Sequence, residues 1–457
     1  MTARVVVAGI ASGVGKTTFA CALAAAFAAR GRRVQPFKVG PDYIDSGYHT
    51  RAAGRASRNL DSFLLPHATL RAVFARAAAR ADVAVVEGVM GLFDGRSSAD
   101  EEGSTAQVAK LIDAPVLVVI DVRAMARTAA ALALGCVGMD PALRIAGFLL
   151  DRVGSDAHAR SASEAIEAAT GLPVLGALPR DDALALPERH LGLVPAVESA
   201  PDDAFFARLA MLAEGHAALD RIWRIAGDAP PLPREEAVPG PVAPASRARI
   251  AIARDEAFHF YYEDALEVLA ASGAELVPFS PLGDRGLPDG VQGLYVGGGF
   301  PEMHAAALAA NRPMRDALVR AVRDGMPVYA ECGGLMYLGR SLEDLDGRRH
   351  EMVGVIPADS VMHRRRLTLG YRTVSSLRAT PLLRAGETVR GHEFHWSELA
   401  RPLAPDRAAY RVAERSDALE GYADGGVLGS YVHLHFAAHP AMARRFVESC
   451  ARREALA

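Results

Sequence analysis

Lys16 and Thr17 near the start of the chain, and Cys332 and His433 far downstream, are the residues whose types and settings could do chemistry. Residues 8–18 read AGIASGVGKTT, a glycine-rich loop suited to nucleotide phosphates. Its glycines let backbone N–H groups approach phosphate oxygens, and the helix that follows adds a favourable dipole. In this reading Gly13, Val14, Gly15 and Thr18 frame the phosphates, Lys16 neutralises the β/γ oxygens, and Thr17 holds Mg²⁺ through its hydroxyl. Gly9 and Gly15 are separated by five residues, one more than the usual spacing, so the motif rests on Gly13–Thr18.

Two further segments belong with that loop. Glu87 ends an apolar run, Asp82–Glu87, where its carboxylate offers a second Mg²⁺ ligand. Residues 38–45 read KVGPDYID, with Lys38 closing another apolar run. Lys38, Asp42, Tyr43 and Asp45 are candidates for substrate binding, and Asp45 also for metal. A turn built on Gly40-Pro41-Asp42 would equally account for Asp42.

The sulfur end reads VYAECGGL over 328–335. A strand running into Cys332-Gly333-Gly334 has the logic of a nucleophile elbow, in which glycines allow the sharp bend. The cluster GGGFPE at 297–302 ends an earlier strand, so N–H groups at Gly298, Gly299 and Gly333 could form an oxyanion hole. His433, in GSYVHLH, is the candidate base. A triphosphate device and a thiol device in one chain suggest ligation with a nitrogen source.

These residues need a scaffold, and the rest of the sequence supplies one. At 457 residues the chain is too long for one ordinary core. Apolar runs at Arg4–Ala8, Arg33–Lys38, Val83–Glu87, Pro115–Asp121, Arg144–Leu150 and Val174–Leu178 alternate with alanine-rich helical stretches, the pattern of a parallel α/β sheet. Residues 227–246 hold six prolines and no period, which predicts a linker over 227–247 between domains at 1–226 and 248–457. Past it, runs at Arg249–Ala253, Glu275–Phe279, Gly293–Val296 and Pro327–Ala330 predict a second α/β domain.

Composition narrows the class. A formal charge of −3 argues against a nucleic-acid surface or a polybasic membrane patch. Four cysteines do not make a disulfide framework, and no apolar run is long enough to span a bilayer, so a soluble cytoplasmic protein is expected. Of 51 basic residues only Lys16, Lys38 and Lys110 are lysines. Lysine at the first two therefore looks selected for a compact ammonium.

With these motifs in place, the chain resembles the cobyrinic acid and hydrogenobyrinic acid a,c-diamide synthase family over essentially its whole length. The first half is similar to dethiobiotin synthetase in ASGVGKTT, KVGPDYID and VVEGVMGLFDG. The second is similar to class I glutamine amidotransferases in GGGFPE, YAECGGLMYLG and GSYVHLHF, with LTLGYR and RGHEFHWSEL specific to the corrinoid group. The resemblance implies two α/β domains, each a mostly parallel sheet flanked by helices, the first dethiobiotin-synthetase-like and the second flavodoxin-like. It implies that Cys332 and His433 release ammonia from L-glutamine, and that ATP with Mg²⁺ phosphorylates a carboxylate of a corrin ring. Channelled ammonia would then give the amide, twice, in cobalamin biosynthesis. A homodimer is compatible with it.

Two departures qualify the match. Class I enzymes usually carry a glutamate two residues after the histidine, where this chain has His435, so the cysteine works as a dyad or recruits another partner. Relatives of dethiobiotin synthetase usually read the base with an asparagine, where this chain has Asp151, leaving ATP or GTP open. Arg366 and Arg372 are candidates for the ring carboxylates, and His392, Glu393 and His395 could face the site or a polar edge. Alternatives are the related cobyric acid synthase, or a P-loop regulatory ATPase, which would leave Cys332 and His433 without a role.

Overall fold

The structure, a computed structural model, describes residues 3–181, 188–189, 192–193, 202–232 and 246–454. The chain divides into two compact units, Met1–Val238 and Pro239–Ala457. Most of the expected linker lies outside the described residues, although helix Leu219–Gly227 reaches its first position.

The first unit is built on strands β1 (Ala3–Gly9), β2 (Val34–Val39), β3 (Arg58–Leu60), β4 (Val83–Glu87), β5 (Val116–Asp121), β6 (Ile145–Val153) and β7 (Val174–Pro179). They form one sheet in the order β3-β2-β4-β1-β5-β6-β7, with every pairing parallel. Val5, Val6 and Val7 are buried, as are Val116 to Ile120, because helices cover both faces. Parallel strands bring their carboxyl ends to one edge. That edge collects the loop after β1, Lys38 near the end of β2, Glu87 at the end of β4, and Asp151 in β6. Helix α1 (Lys16–Ala29) starts at the loop, and α2 (Asp45–Ala53) starts at Asp45.

The second unit has a parallel core of β8 (Ala248–Ala253), β9 (Ala274–Phe279), β10 (Gly293–Val296), β11 (Val328–Glu331) and β12 (Val427–Ser430). The core order is β9-β8-β10-β11-β12, all parallel. Beyond β12 the same sheet continues in antiparallel fashion through Ala418–Asp424, Ala408–Val412, Thr368–Ser376 and Thr388–His395, ending at His433–Leu434. A separate four-stranded sheet carries Ser341–Glu343, Arg349–Glu351, Asp359–Met362 and Ser397–Leu399. The expected parallel domain is therefore the core of this unit, and the antiparallel extension adds a wall to it. That wall carries RGHEFH across from His433, since His392 pairs with His433 in register.

Candidate active site

Around the phosphate loop the backbone is set by glycine. Gly15 sits at φ 93° as the residue capping α1, and a Cβ there would meet the Asp151 carboxylate at 2.4 Å. Only glycine fits both demands. Lys16 is buried and donates from Nζ to the Ala11 carbonyl at 2.7 Å, folding back over the loop. Burial, then the nearby Lys38, lowers its pKa to about 8. Val14 is buried beneath the loop, whereas Gly13 is exposed at φ 74°. Thr18 lies on the first turn of α1, half-buried.

Glu87 is the hub of this site. Its Oε1 accepts from Thr17 Oγ1 at 2.8 Å and from Lys38 Nζ at 2.8 Å, while Oε2 contacts His49 Nε2. Lys38 also donates to Asp45 Oδ2 at 2.6 Å and to the Gly88 carbonyl at 3.2 Å. Burial alone would raise Glu87 and lower Lys38, but their mutual attraction, with His49 and Asp45, reverses both directions. Asp45 is raised by burial and by repulsion from Asp42. Asp42 Oδ1 accepts from the N–H groups of Ile44 and Asp45, so it caps the turn into α2, and its Oδ2 stands 3.9 Å from Lys38. Tyr43 is half-buried in that turn. Thr17 and Lys38 thus meet on Glu87 and Asp45 meets Lys38, so three side chains with hard oxygen donors are linked through one carboxylate–ammonium pair. They fit Mg²⁺, which takes few protein ligands and relies on phosphate and water for the rest.

The thiol site lies at the carboxyl end of the second parallel core. Cys332 adopts φ 48°, ψ −100°, between β11 and the short helix Gly333–Leu338. Its own N–H donates to the Ser430 carbonyl at 2.7 Å, tying the elbow to β12. Close approach demands glycine at the bend: a Cβ on Gly334 would lie 2.2 Å from the Val296 carbonyl oxygen. Cys332 is buried, and burial followed by the negative charge of Glu302 pushes its thiol well up. A base is therefore needed to form the thiolate.

Gly333 and Gly299 are neighbours, the Cβ position of the first being 3.2 Å from the second's nitrogen. The Cβ position of Gly298 is 2.7 Å from His433 Cε1, so that glycine makes room for the ring. The Gly298 carbonyl accepts from the N–H groups of His259 and Phe260, which fixes the glycine strip. His433 is 2% exposed and stacks on His392 with ring centroids 4.9 Å apart. His392 Nε2 and the Tyr262 hydroxyl are 2.6 Å apart. The elbow at Cys332-Gly333 thus lies against Gly299, and the neighbouring Gly298 lies against the His433 ring.

Sequence similarity fits this two-part geometry. Residues 5–194 match the family model for a CobQ/CobB/MinD/ParA nucleotide binding domain, and residues 249–441 the model for a CobB/CobQ-like glutamine amidotransferase domain. The chain is 45% identical to a cobyrinate a,c-diamide synthase of Dehalococcoides mccartyi strain CBDB1, covering 97% of each. It is 43% identical to one from Salmonella typhimurium, covering 98% of each. It belongs to the cobyrinate a,c-diamide synthase family. A hydrogenobyrinate a,c-diamide synthase of Streptomyces coelicolor is 44% identical, with 98% of this chain and 97% of that one covered. Members of this family are glutamine-dependent ligases, and ATP and glutamine are their co-substrates.

The remaining candidates, Arg372 among them, have partners within the fold. The Arg372 Nε donates to Glu393 Oε2 at 2.5 Å and its Nη1 to the Tyr371 carbonyl; the buried Glu393 is also met by Arg415 and, at 3.7 Å, by His395 Nε2. Arg366 is exposed and paired with Glu398 at 2.5 Å, on the surface. His392 stacks on His433, whereas Glu393 and His395 alternate to the other side of their strand, where His395 stacks on Tyr431 and the Glu393 charge still reaches the Cys332 thiol. His435 stacks on Tyr262 and accepts from the Ala437 N–H through Nδ1. Asp151 lies against Gly15, and burial raises it to about 6.

Sequence reasoning missed His49, Glu302 and Glu331. His49 lies on α2 one turn past Asp45, and that helix was not read. Glu331 had a signal: an acid ending an apolar strand, the same pattern that identified Glu87.

Proposed function

We propose that this protein amidates the a and c carboxylates of hydrogenobyrinic acid or cobyrinic acid, using glutamine as nitrogen source and ATP as activator. The observation that carries this reading is the coexistence in one chain of the Cys332–His433 site and the Lys16–Thr17–Glu87–Lys38 site. Cys332 attacks the side-chain amide carbon of glutamine while His433 takes the thiol proton. The N–H groups of Gly333 and Gly299 face the oxyanion, and Gly298 leaves space for the imidazole. His433 returns the proton to the departing nitrogen, giving ammonia and a thioester that water opens to glutamate.

At the other site the loop Gly13–Thr18 cradles the triphosphate, Lys16 meets its outer oxygens, and Lys38 steadies the charge on the transferring phosphoryl group. Thr17, Glu87 and Asp45 would hold Mg²⁺, which supplies charge neutralisation between phosphates when bound. Asp151, beside Gly15, is placed to contact the nucleotide. Asp42 and Tyr43 flank the position of the carboxylate to be phosphorylated. Ammonia displaces phosphate from the resulting acyl phosphate, leaving the amide, and the cycle repeats on the second carboxylate.

The test is direct. Purified protein is incubated with each ring, cobalt-bearing and metal-free, plus glutamine and MgATP, and the products are weighed by mass spectrometry. Two carboxyl-to-amide conversions on at least one ring are expected. Failure to amidate either ring, with glutamine or with ammonium, would overturn the assignment.

The low pKa of Lys16 carries its own expectation. A triphosphate favours the ammonium, so the nucleotide complex binds a proton that the free protein has partly lost near pH 8. Affinity for ATP should be flat below that pH and weaken above it, approaching about tenfold per pH unit. Calorimetry in buffers of different ionisation heat should show proton uptake on binding near pH 8 to 9. Constant affinity across pH 7 to 9.5, without uptake, would contradict this role for Lys16.

A further inference from the structure

We infer that Glu331 is the acidic third member of the thiol site, a positioning residue that holds His433 with its proton on Nδ1 so that Nε2 is the basic nitrogen. The inference rests on the reading of Cys332 and His433 as a glutamine-hydrolysing pair. Position 435, where a class I enzyme has glutamate, cannot serve. His435 has its ring against Tyr262, and burial holds it down to about 3, so it remains neutral and brings no counter-charge.

Glu331 fills that gap from a different strand. It is the last residue of β11, immediately before the nucleophile, and it pairs in register with Ser430 of β12, three residues before His433. Its Oε2 lies 3.6 Å from His433 Nδ1. That is ion-pair range, and catalytic contacts of this kind commonly tighten only when substrate binds. The carboxylate is 1% exposed, so it must be well satisfied to be tolerated there. Tyr295 donates its hydroxyl to Oε2 at 3.0 Å, Tyr329 donates to Oε1, and the Leu434 N–H donates to Oε1 at 3.0 Å.

Those donors do more than offset burial. The Leu434 N–H anchors the backbone next to His433, so the carboxylate fixes the histidine's main chain as well as facing its ring. Tyr295 and Tyr329 are stacked on one another with centroids 5.0 Å apart, which locks the carboxylate from below. On the ring's other side His392 lies nearly parallel at 18°. The imidazole is therefore confined in plane, with Glu331 at Nδ1, Gly298 at Cε1 and His392 across its face. An imidazole whose Nδ1–H points at a carboxylate presents Nε2 as proton acceptor, the arrangement a thiol base needs.

Glu331→Gln in the full-length protein tests this, because the amide keeps the size but loses the charge. The kcat for glutamine hydrolysis should fall by roughly 10²- to 10⁴-fold, with KM within about threefold of the unaltered protein. Amidation driven by ammonium salts should be unchanged, and the pH curve for alkylation of Cys332 by iodoacetamide should move to higher pH. Hydrolysis within about threefold of the unaltered protein, or a lowered kcat with an unmoved alkylation curve, would overturn the inference. A second measurement needs no variant at Glu331. In histidine-¹⁵N-labelled protein, with the His433 signal assigned by its loss in His433→Gln, neutral His433 should be the Nδ1–H tautomer, and the Nε2–H tautomer would refute the assignment. Absence of glutamine hydrolysis by the unaltered protein would instead remove the reading on which the inference rests.

Discussion

Cys332→Ser protein is expected to lose glutamine-driven amidation by roughly 10³-fold or more, while amidation driven by ammonium salts stays within a few-fold of the unaltered level. The substitution is nearly isosteric, and the elbow's hold on the chain runs through backbone: the Cys332 N–H on Ser430 and the glycines behind it. The fold therefore has no reason to change. What changes is the nucleophile. A serine hydroxyl is harder to deprotonate than a thiol, and this buried position already disfavours the anion for sulfur. Paired assays of glutamate release and amide formation, with either nitrogen donor, check the expectation. A folded variant that ammonium cannot rescue would show that the two sites do not divide the labour as proposed.

Glu87→Gln should give the complementary result, with amidation falling by roughly 10²- to 10³-fold whichever nitrogen donor is supplied. The amide still reaches Thr17 and His49 but no longer brings negative charge to a cation. Lys38 is not stranded by the change, because Asp45 remains 2.6 Å away. Thermal unfolding should therefore move far less than activity. Alkylation of Cys332, which sits in the other unit, should proceed at the unaltered rate and report that the protein is intact. Full amidation with ammonium by this variant would remove Glu87 from the phosphoryl-transfer machinery.

How much of this was legible in the sequence depended on how local each signal is. Six strands of the seven-stranded sheet were readable because they are mostly apolar runs bounded by alanine-rich helices, whereas the three-residue edge strand Arg58–Leu60 carries no such run. The phosphate loop and elbow were readable because glycine is required where the backbone bends or another atom comes close, as at Gly15 and Gly334. The antiparallel extension was not. Segments such as TLGYRTVSS and TVRGHEFH mix polar and apolar residues, and their pairing is decided by partners remote in sequence. The same remoteness hid the partners of Arg372, since nothing local says that it shares Glu393 with Arg415. Glu331 stood in plain view, but only the pairing of β11 with β12 shows which histidine it faces.

That pairing has a consequence for how the protein comes to be made. Val328 hydrogen-bonds beside Val427, so the nucleophile is synthesised well before the strand that delivers its base. Contacts of such long sequence separation form slowly. A nascent chain therefore carries a bare sulfur on a half-formed turn, without histidine or acid, until the C-terminal portion threads alongside. The burial that quiets the thiol in the finished fold is also missing until then, so this sulfur meets oxidants and stray electrophiles unshielded while assembly is incomplete.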